Sequence, residues 1–78
     1  MERGTVSKMG AQLLVNVNGM GFKRDELLML KPRGIDERLY KRVSKQGKDR
    51  MVVIIPKGYH QFFEQGCTVY IESMKVKK

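Results

Sequence analysis

The sequence has a single cysteine and a single histidine, and this scarcity excludes two common ways of stabilising a small fold. Cys67 has no partner for an internal disulfide, and one thiol with the one imidazole of His60 cannot complete a four-ligand metal site. A chain of 78 residues also buries only a thin core, for which association with a second subunit often compensates. We therefore expect one compact domain that holds no metal and no cofactor and that associates as a homodimer.

Long apolar runs are absent as well. No segment approaches the roughly 20 residues that a membrane-spanning helix needs, and the first residues, MERGTVSKMG, lack the apolar stretch of a signal peptide. The sequence has no phosphate-binding loop, no dinucleotide-binding motif and no metal cluster, and no third group accompanies Cys67 and His60 as a nucleophilic enzyme would require. We expect a cytoplasmic protein that is not an enzyme and does not bind membranes.

Acidic residues are half as numerous as basic ones. Sixteen Lys and Arg stand against eight Asp and Glu, which gives a net charge of +8. A field of this sign attracts polyanions, so nucleic acid is the expected partner, and the alternative is a basic surface that only maintains solubility. The excess is concentrated at residues 38–57, where Asp49 alone opposes the basic residues Arg38, Lys41, Arg42, Lys45, Lys48, Arg50 and Lys57.

Two stretches of the chain resemble each other. VSKMGAQLLVNV at residues 6–17 and VSKQGKDRMVVII at residues 43–55 share VSKxG, then a polar link, then an apolar run, with one extra residue in the second copy. Each copy has the order strand, glycine turn, strand, which is typical of a β-hairpin. We interpret residues 1–78 as a single domain that arose by duplication, with a degenerate hairpin repeat at 4–37 and a second hairpin module at 38–76.

The expected elements are mostly strands, as glycine turns and apolar alternation indicate. Residues 22–30 fit a helix or a strand, because their apolar run is compatible with both patterns. One helical turn is expected at 60–63, after Pro56 has ended strand pairing. The sequence thus predicts a mainly β fold with at most one or two short helices, and with strands at 5–8, 12–17, 40–45, 50–55 and 67–73.

The second copy and the residues after it resemble a known family. Residues 42–72, RVSKQGKDRMVVIIPKGYHQFFEQGCTVYIE, contain in order a strand, a glycine turn, a strand ending in Ile-Pro, a short segment at 57–64 and a glycine before a final strand. In this order and spacing they resemble the AbrB/SpoVT swapped-hairpin DNA-binding domain, whose segment after Ile-Pro is a short helix. The resemblance covers about the C-terminal half of the chain. It departs from the family pattern at Gly58, where that pattern has a glutamate, and at Cys67, where it has an acidic residue.

The resemblance implies a small swapped-hairpin β-barrel, in which two hairpins interleave and bury an apolar run that one hairpin cannot cover. The hairpins would come either from two chains or from the two copies within one chain, and the sequence does not decide between these. In this arrangement the core and dimer seam falls at Val52, Val53, Ile54, Ile55, Val69 and Ile71.

The resemblance also implies which residues contact DNA, because in the family basic side chains of the first strand and the glycine turn approach it. The matching positions, with Lys8 as the counterpart of Lys45 and with Arg3 and Lys57 as neighbours, are Arg42, Lys45, Lys48, Arg50, Lys8, Arg3 and Lys57. We expect the arginines at 42 and 50 to read bases, because a guanidinium can bind guanine in a bidentate way, and the lysines to hold phosphate.

The predicted function is duplex-DNA binding by a prokaryotic transcriptional regulator or chromatin-associated factor of the nucleoid. Two alternatives stay open: an RNA-binding small β-barrel, which the same charge would serve, and an antitoxin-type partner of a toxin protein, as some members of the family are. Tyr59, Phe62 and Phe63 are expected in the core or in an interface rather than stacked on exposed bases, since so small a domain needs large rings for burial. His60 is expected at the surface.

Overall fold

A computed structural model describes residues 2–74 and shows a mainly β fold. One turn of 3₁₀ helix, Lys57–Tyr59, lies between the last two strands, and no helix in this part of the chain is long and apolar enough to cross a membrane. The strands form one antiparallel sheet in the order β4-β3-β7-β1-β2-β6-β5. Their bounds are β1 Glu2–Met9, β2 Gln12–Asn16, β3 Leu27–Pro32, β4 Leu39–Arg42, β5 Ser44–Gln46, β6 Arg50–Ile55 and β7 Thr68–Ser73.

The sheet curls because two chain segments each pair with different partners at their two ends. Strand β1 pairs with β7 through residues 2–5 and with β2 through residues 6–9. The two edge strands, β4 and β5, are separated in the sequence only by Val43, so residues 39–46 pair with β3 at one end and with β6 at the other. The predicted continuous strand at 40–45 is therefore interrupted at Val43. Because the edges of the sheet share one chain segment, little free edge is left for pairing with other chains.

Apolar side chains on the inner side of the curled sheet form one core. Val15 and Val53 come from the β1-β2-β6-β5 part of the sheet, Leu30 and Ile71 come from the β4-β3-β7-β1 part, and all four are fully buried in the same cluster. Strand β3, which the sequence left undecided, is apolar on both faces: Leu28 and Leu30 lie in the core cluster, and Leu27 and Met29 lie on the other face. Of the predicted seam residues, the cluster contains Val53, Ile55, Val69 and Ile71; Val52 is buried outside it, and Ile54 is partly exposed.

The two halves of the chain make corresponding strand pairings. In the first half, β1 and β2 form a hairpin that β3 follows. In the second half, β4–β5 and β6 form the equivalent hairpin, and β7 is the equivalent third strand. The pairing of β1 with β7 therefore corresponds to the pairing of β4 with β3. Where corresponding strands pair with each other, equivalent residues face one another: Val15 opposite Val53, and Leu30 opposite Ile71. Each hairpin therefore lies against the third strand of the other half.

The backbone hydrogen bonds repeat in the same way. The Val6 N–H donates to the Cys67 carbonyl over 3.1 Å, and the Val43 N–H donates to the Glu26 carbonyl over 2.9 Å. Val6 and Val43 are the equivalent valines of the two VSKxG segments. Glu26 directly precedes β3, and Cys67 directly precedes β7, which is the equivalent strand. The correspondence therefore extends from strand order to individual backbone contacts.

The segment after β6 differs in part from the expectation. The short helix that the resemblance implies at 57–64 is reduced to the 3₁₀ turn Lys57–Tyr59. The helical turn predicted at 60–63 is present as a single turn, in which the Phe63 N–H donates to the Tyr59 carbonyl over 3.1 Å. Gly58 lies in the 3₁₀ turn and disfavours an α-helix, because glycine loses more backbone freedom there than other residues. Phe63, at the end of the segment, is fully buried in the core and fixes the path of the chain instead.

Candidate nucleic-acid interface

An open hollow of about 500 Å³, which we call the tip hollow, lies at the turn between β5 and β6. The last cross-strand pair before the turn joins Gln46 to Arg50, and residues 47–49 extend beyond it. Gly47 adopts a φ of 66°, a conformation that favours glycine, and so lets the turn close. The residues that line the hollow are Asn18, Gln46, Gly47, Lys48, Asp49 and Arg50.

Asn18 attaches the loop after β2 to this turn. Its side-chain Oδ1 accepts a hydrogen bond from the Met51 N–H over 2.5 Å, and its own N–H donates to Asn16 Oδ1 over 2.9 Å. The amide group of Asn18 is therefore held in place as one wall of the tip hollow. In the sequence Asn18-Gly19 is only a turn signal, because its contact with Met51 joins residues 33 positions apart.

The tip hollow is cationic. Lys48 and Arg50 are exposed, and within residues 2–74 the only ion pair joins Arg24 to Asp25, at 4.0 Å, elsewhere on the surface. Asp49 is the single carboxylate among the lining residues. Two ammonium or guanidinium groups beside a concave surface, with polar side chains between them, suit an anionic ligand that offers several oxygen acceptors.

A second hollow of about 360 Å³, which we call the side hollow, is located where the loop before β3 meets the end of β4. The Arg42 guanidinium lies here, and its Nη1 donates to the Asp25 carbonyl over 2.9 Å. The Glu26 carboxylate accepts hydrogen bonds from the Lys23 N–H over 2.9 Å and from the Ser73 hydroxyl, which fixes the loop against β7. The lining residues are Lys23, Arg24, Asp25, Glu26, Leu27, Arg42 and Met74.

The structure brings together some of the predicted contact residues and separates others. Lys48 and Arg50 share the tip hollow, Arg42 lies in the side hollow, and Lys45 is exposed on β5 and lines neither. Lys8 lies near the tip of the β1–β2 hairpin, which points away from the β5–β6 tip because β2 and β6 are antiparallel. Lys8 and Lys45 are separated by three strand spacings and four residues along the strands, which is roughly 20 Å. Two further predicted residues, both exposed, are Arg3, on β1, and Lys57, in the 3₁₀ turn.

The aromatic cluster after β6 is part of the core. Phe63 is fully buried, and the half-buried rings of Tyr59 and Phe62 pack against the same cluster. The Tyr59 centroid lies 6.4 Å from each of the two phenylalanine centroids, in tilted and edge-on arrangements. His60 is half-buried rather than at the surface as expected, because its Nε2 donates to the Ile55 carbonyl over 3.0 Å. These rings are not arranged as a platform for bases.

Cys67 is a half-buried free thiol in front of β7. Burial, and then the negative charge of Glu64, raise the pKa of this thiol above its ordinary value. It is therefore protonated at neutral pH and a weaker nucleophile than an exposed cysteine. No group of three His, Cys, Asp or Glu side chains in residues 2–74 is placed to hold a metal ion.

Comparison of the chain with protein-family models, with curated proteins and with solved structures finds no match. The fold and the two hollows define a class nonetheless: a small, mainly β protein with a cationic hairpin turn. The function of the protein is therefore inferred from the geometry and charge of these surfaces.

Proposed function

We propose that the protein binds duplex DNA through the tip hollow, as a transcriptional regulator or chromatin-associated factor. The observation that carries the proposal is the pair of exposed cations, Lys48 and Arg50, which share a concave turn and have no carboxylate partner within residues 2–74. Lys48 suits a phosphate contact, and Arg50 suits bidentate binding of phosphate or of the guanine edge. Gln46 and Asn18 add amide groups that can bond to base edges or phosphate oxygens.

A difference between the two hairpin tips supports this proposal. They have corresponding pairings, but Arg50 at the second tip corresponds to Gln12 at the first, each being the first residue paired after its turn. The second turn contains Lys48, whereas the shorter first turn has Ala11 and keeps a cation only at Lys8. Since the same fold forms at the first tip without these charges, folding does not require them at the second. Their concentration there favours a role in binding.

The strand pairings also support a swapped-hairpin barrel of the AbrB type, built within one chain. Each hairpin pairs with the third strand of the other half, as two interleaved hairpins do in that family. Glu26 stands where the second half has Cys67, so the first half carries the acidic residue that the family pattern has after its glycine turn. We infer a duplicated hairpin module, with repeats at 4–37 and 38–76. Homodimer formation stays a prediction, which light scattering tests.

A hairpin turn of this size fits the geometry of duplex DNA. The major groove is about 12 Å wide and admits a two-stranded β-ribbon. Residues 47–49 extend past the last strand pair and would enter first, with Lys48 and Arg50 reaching the groove and its phosphates. Beyond this turn, the field of the protein would be strengthened by the exposed cations Arg42, Lys45, Lys8, Arg3 and Lys57.

The test is the binding of a fluorescent duplex DNA and a matched structured RNA at two salt concentrations, by fluorescence anisotropy. The variant Lys48→Ala/Arg50→Ala is compared with Arg33→Ala/Arg38→Ala, which removes the same charge from the exposed loop between β3 and β4. We expect the first variant to lose at least about tenfold in duplex affinity and about two from the slope of log K against log salt, and the control to lose much less.

Three results would contradict the proposal. Equal losses in the two variants would show that net charge alone matters and that the tip hollow has no special role. A preference for structured RNA over duplex DNA would favour the RNA-binding alternative. Absence of binding to either polymer at low salt would leave the charge as a solvated surface and would direct the search to a protein partner, as the antitoxin-type alternative predicts.

A further inference from the structure

The outer side of the β4-β3-β7-β1 part of the sheet carries two tyrosines among charged residues. One row across the sheet consists of Tyr40 on β4, Met29 on β3 and Glu72 on β7. A second row, two residues further along β3, consists of Lys31 on β3, Tyr70 on β7 and Arg3 on β1. The residues that alternate with them, including Leu30 and Ile71, point into the core. We call these six outward residues the tyrosine face: Arg3, Met29, Lys31, Tyr40, Tyr70 and Glu72.

Neither of these two rings packs against the core cluster, whereas the rings after β6 do. Tyr40 is 52% exposed, and Tyr70 is half-buried with Arg3 directly opposite it on one neighbouring strand and Lys31 on the other. Two strand spacings and two residues separate the positions of Tyr40 and Tyr70, which is roughly 12 Å. Each ring can therefore receive its own base without competing with the other.

The charge of this surface matches a polyanion. Within the tyrosine face, Glu72 is opposed by Arg3 and Lys31, and the neighbouring row adds Arg42, which pairs with Leu27 on the same outer side. Arg42 and Leu27 also line the side hollow, so the face continues into that hollow with its further cations Lys23 and Arg24. A continuous surface thus combines accessible rings with an excess of positive charge.

We propose that the tyrosine face binds single-stranded nucleic acid, with unpaired bases stacked on Tyr40 and Tyr70 and the phosphodiester backbone held by Arg3, Lys31 and Arg42. Proteins that bind single-stranded nucleic acid with little sequence preference combine a cationic surface with aromatic rings on which bases stack. Bases within a duplex are already stacked on each other and cannot use such a surface. The inference goes beyond the proposed duplex binding, because the tip hollow belongs to β5 and β6, whereas this face belongs to strands across the core from them.

Tyrosine fluorescence gives a direct assay, because the chain has no tryptophan and three tyrosines, of which Tyr59 packs against the core. The protein is titrated with oligo(dT) and oligo(U) of about 15 nucleotides, within the range of single-strand site sizes. We expect quenching of the fluorescence on binding. In Tyr40→Ala the affinity should fall about 5- to 150-fold, which is the loss associated with one stacked base. Tyr40→Phe keeps the ring and should bind within about twofold of the unchanged protein.

The variants separate this proposal from the duplex proposal. Tyr40 is 52% exposed and lies opposite Met29 on β3, so Tyr40→Ala should lose little of its stability and remain folded at the assay temperature. Its duplex affinity should be unaltered. Equal losses for oligo(dT) and oligo(U) support recognition of the shared base and phosphate chemistry, and a loss confined to one polymer supports the proposal and identifies that polymer. Undiminished single-strand binding by Tyr40→Ala overturns it. So does a loss of single-strand affinity in Lys48→Ala/Arg50→Ala as large as that in Tyr40→Ala.

Discussion

Gly4→Ala tests how closely strand β1 packs on the core. A Cβ atom added at Gly4 would lie 2.8 Å from the Val15 Cγ1 and 3.1 Å from the Ile71 Cδ1. Ordinary carbon contacts are about 3.5–4.0 Å, so Val15 would have to retreat by roughly 0.7 Å. Both neighbours are fully buried, and valine is restricted in its side-chain rotation, so neither side chain has free space to enter.

The expected cost follows from two opposing effects. Overpacking a filled core costs typically about 1–3 kcal/mol, and replacing glycine by alanine recovers about 0.4–1 kcal/mol by restricting the unfolded chain. The free energy of unfolding of Gly4→Ala should therefore fall by about 1–2 kcal/mol. For a domain of this size, this lowers the midpoint of thermal unfolding by roughly 5–15 °C.

The matched control is Gly58→Ala, in which the same atom is added in open space. No heavy atom lies within 4 Å of a Cβ at Gly58, and its φ is outside the left-handed region. Thermal and urea unfolding followed by circular dichroism should show the control to be as stable as the unchanged protein or slightly more stable. If Gly4→Ala is as stable as Gly58→Ala, the close packing of β1 over Val15 is refuted.

The sequence predicts the strands where one face is buried and the other is not. On β7, Val69 and Ile71 alternate with the more exposed Thr68, Tyr70 and Glu72, and the period-two pattern alone is sufficient. Strand β3 has apolar residues on both faces, so the pattern does not separate strand from helix, and its pairing with β4 and β7 decides the conformation. The interruption at Val43 likewise depends on the curl of the whole sheet.

The candidate surfaces show the same division between local and non-local information. Local charge identifies Lys48 and Arg50, because they lie two residues apart at the tip of one hairpin. The separate location of Arg42 depends on the Asp25 carbonyl, 17 residues away. Tyr40 and Tyr70 are far apart in the sequence and share a face only through the register of β3 with its two neighbours.

Two further predictions concern Cys67 and the equivalent turns before β3 and β7. Because its pKa is raised, the Cys67 thiol should react with iodoacetamide along a pH profile shifted to higher pH than that of free cysteine. The same shift should make folding stability decline as pH rises from the thiol pKa of the unfolded chain through the higher pKa of the folded protein. An unshifted reaction profile contradicts this. Asp25 and Gly66 occupy equivalent left-handed positions, with φ of 65° and 88°. Gly66→Ala should lower the free energy of unfolding by about 1–2 kcal/mol, a backbone cost alone, because no atom lies within 4 Å of the added Cβ. Asp25→Gly should change it by less than about 0.5 kcal/mol, because relief of the backbone is offset by the greater freedom of glycine in the unfolded chain. Urea unfolding measures both variants, and a Gly66→Ala protein as stable as the unchanged one would show that this turn can adopt another conformation at no cost.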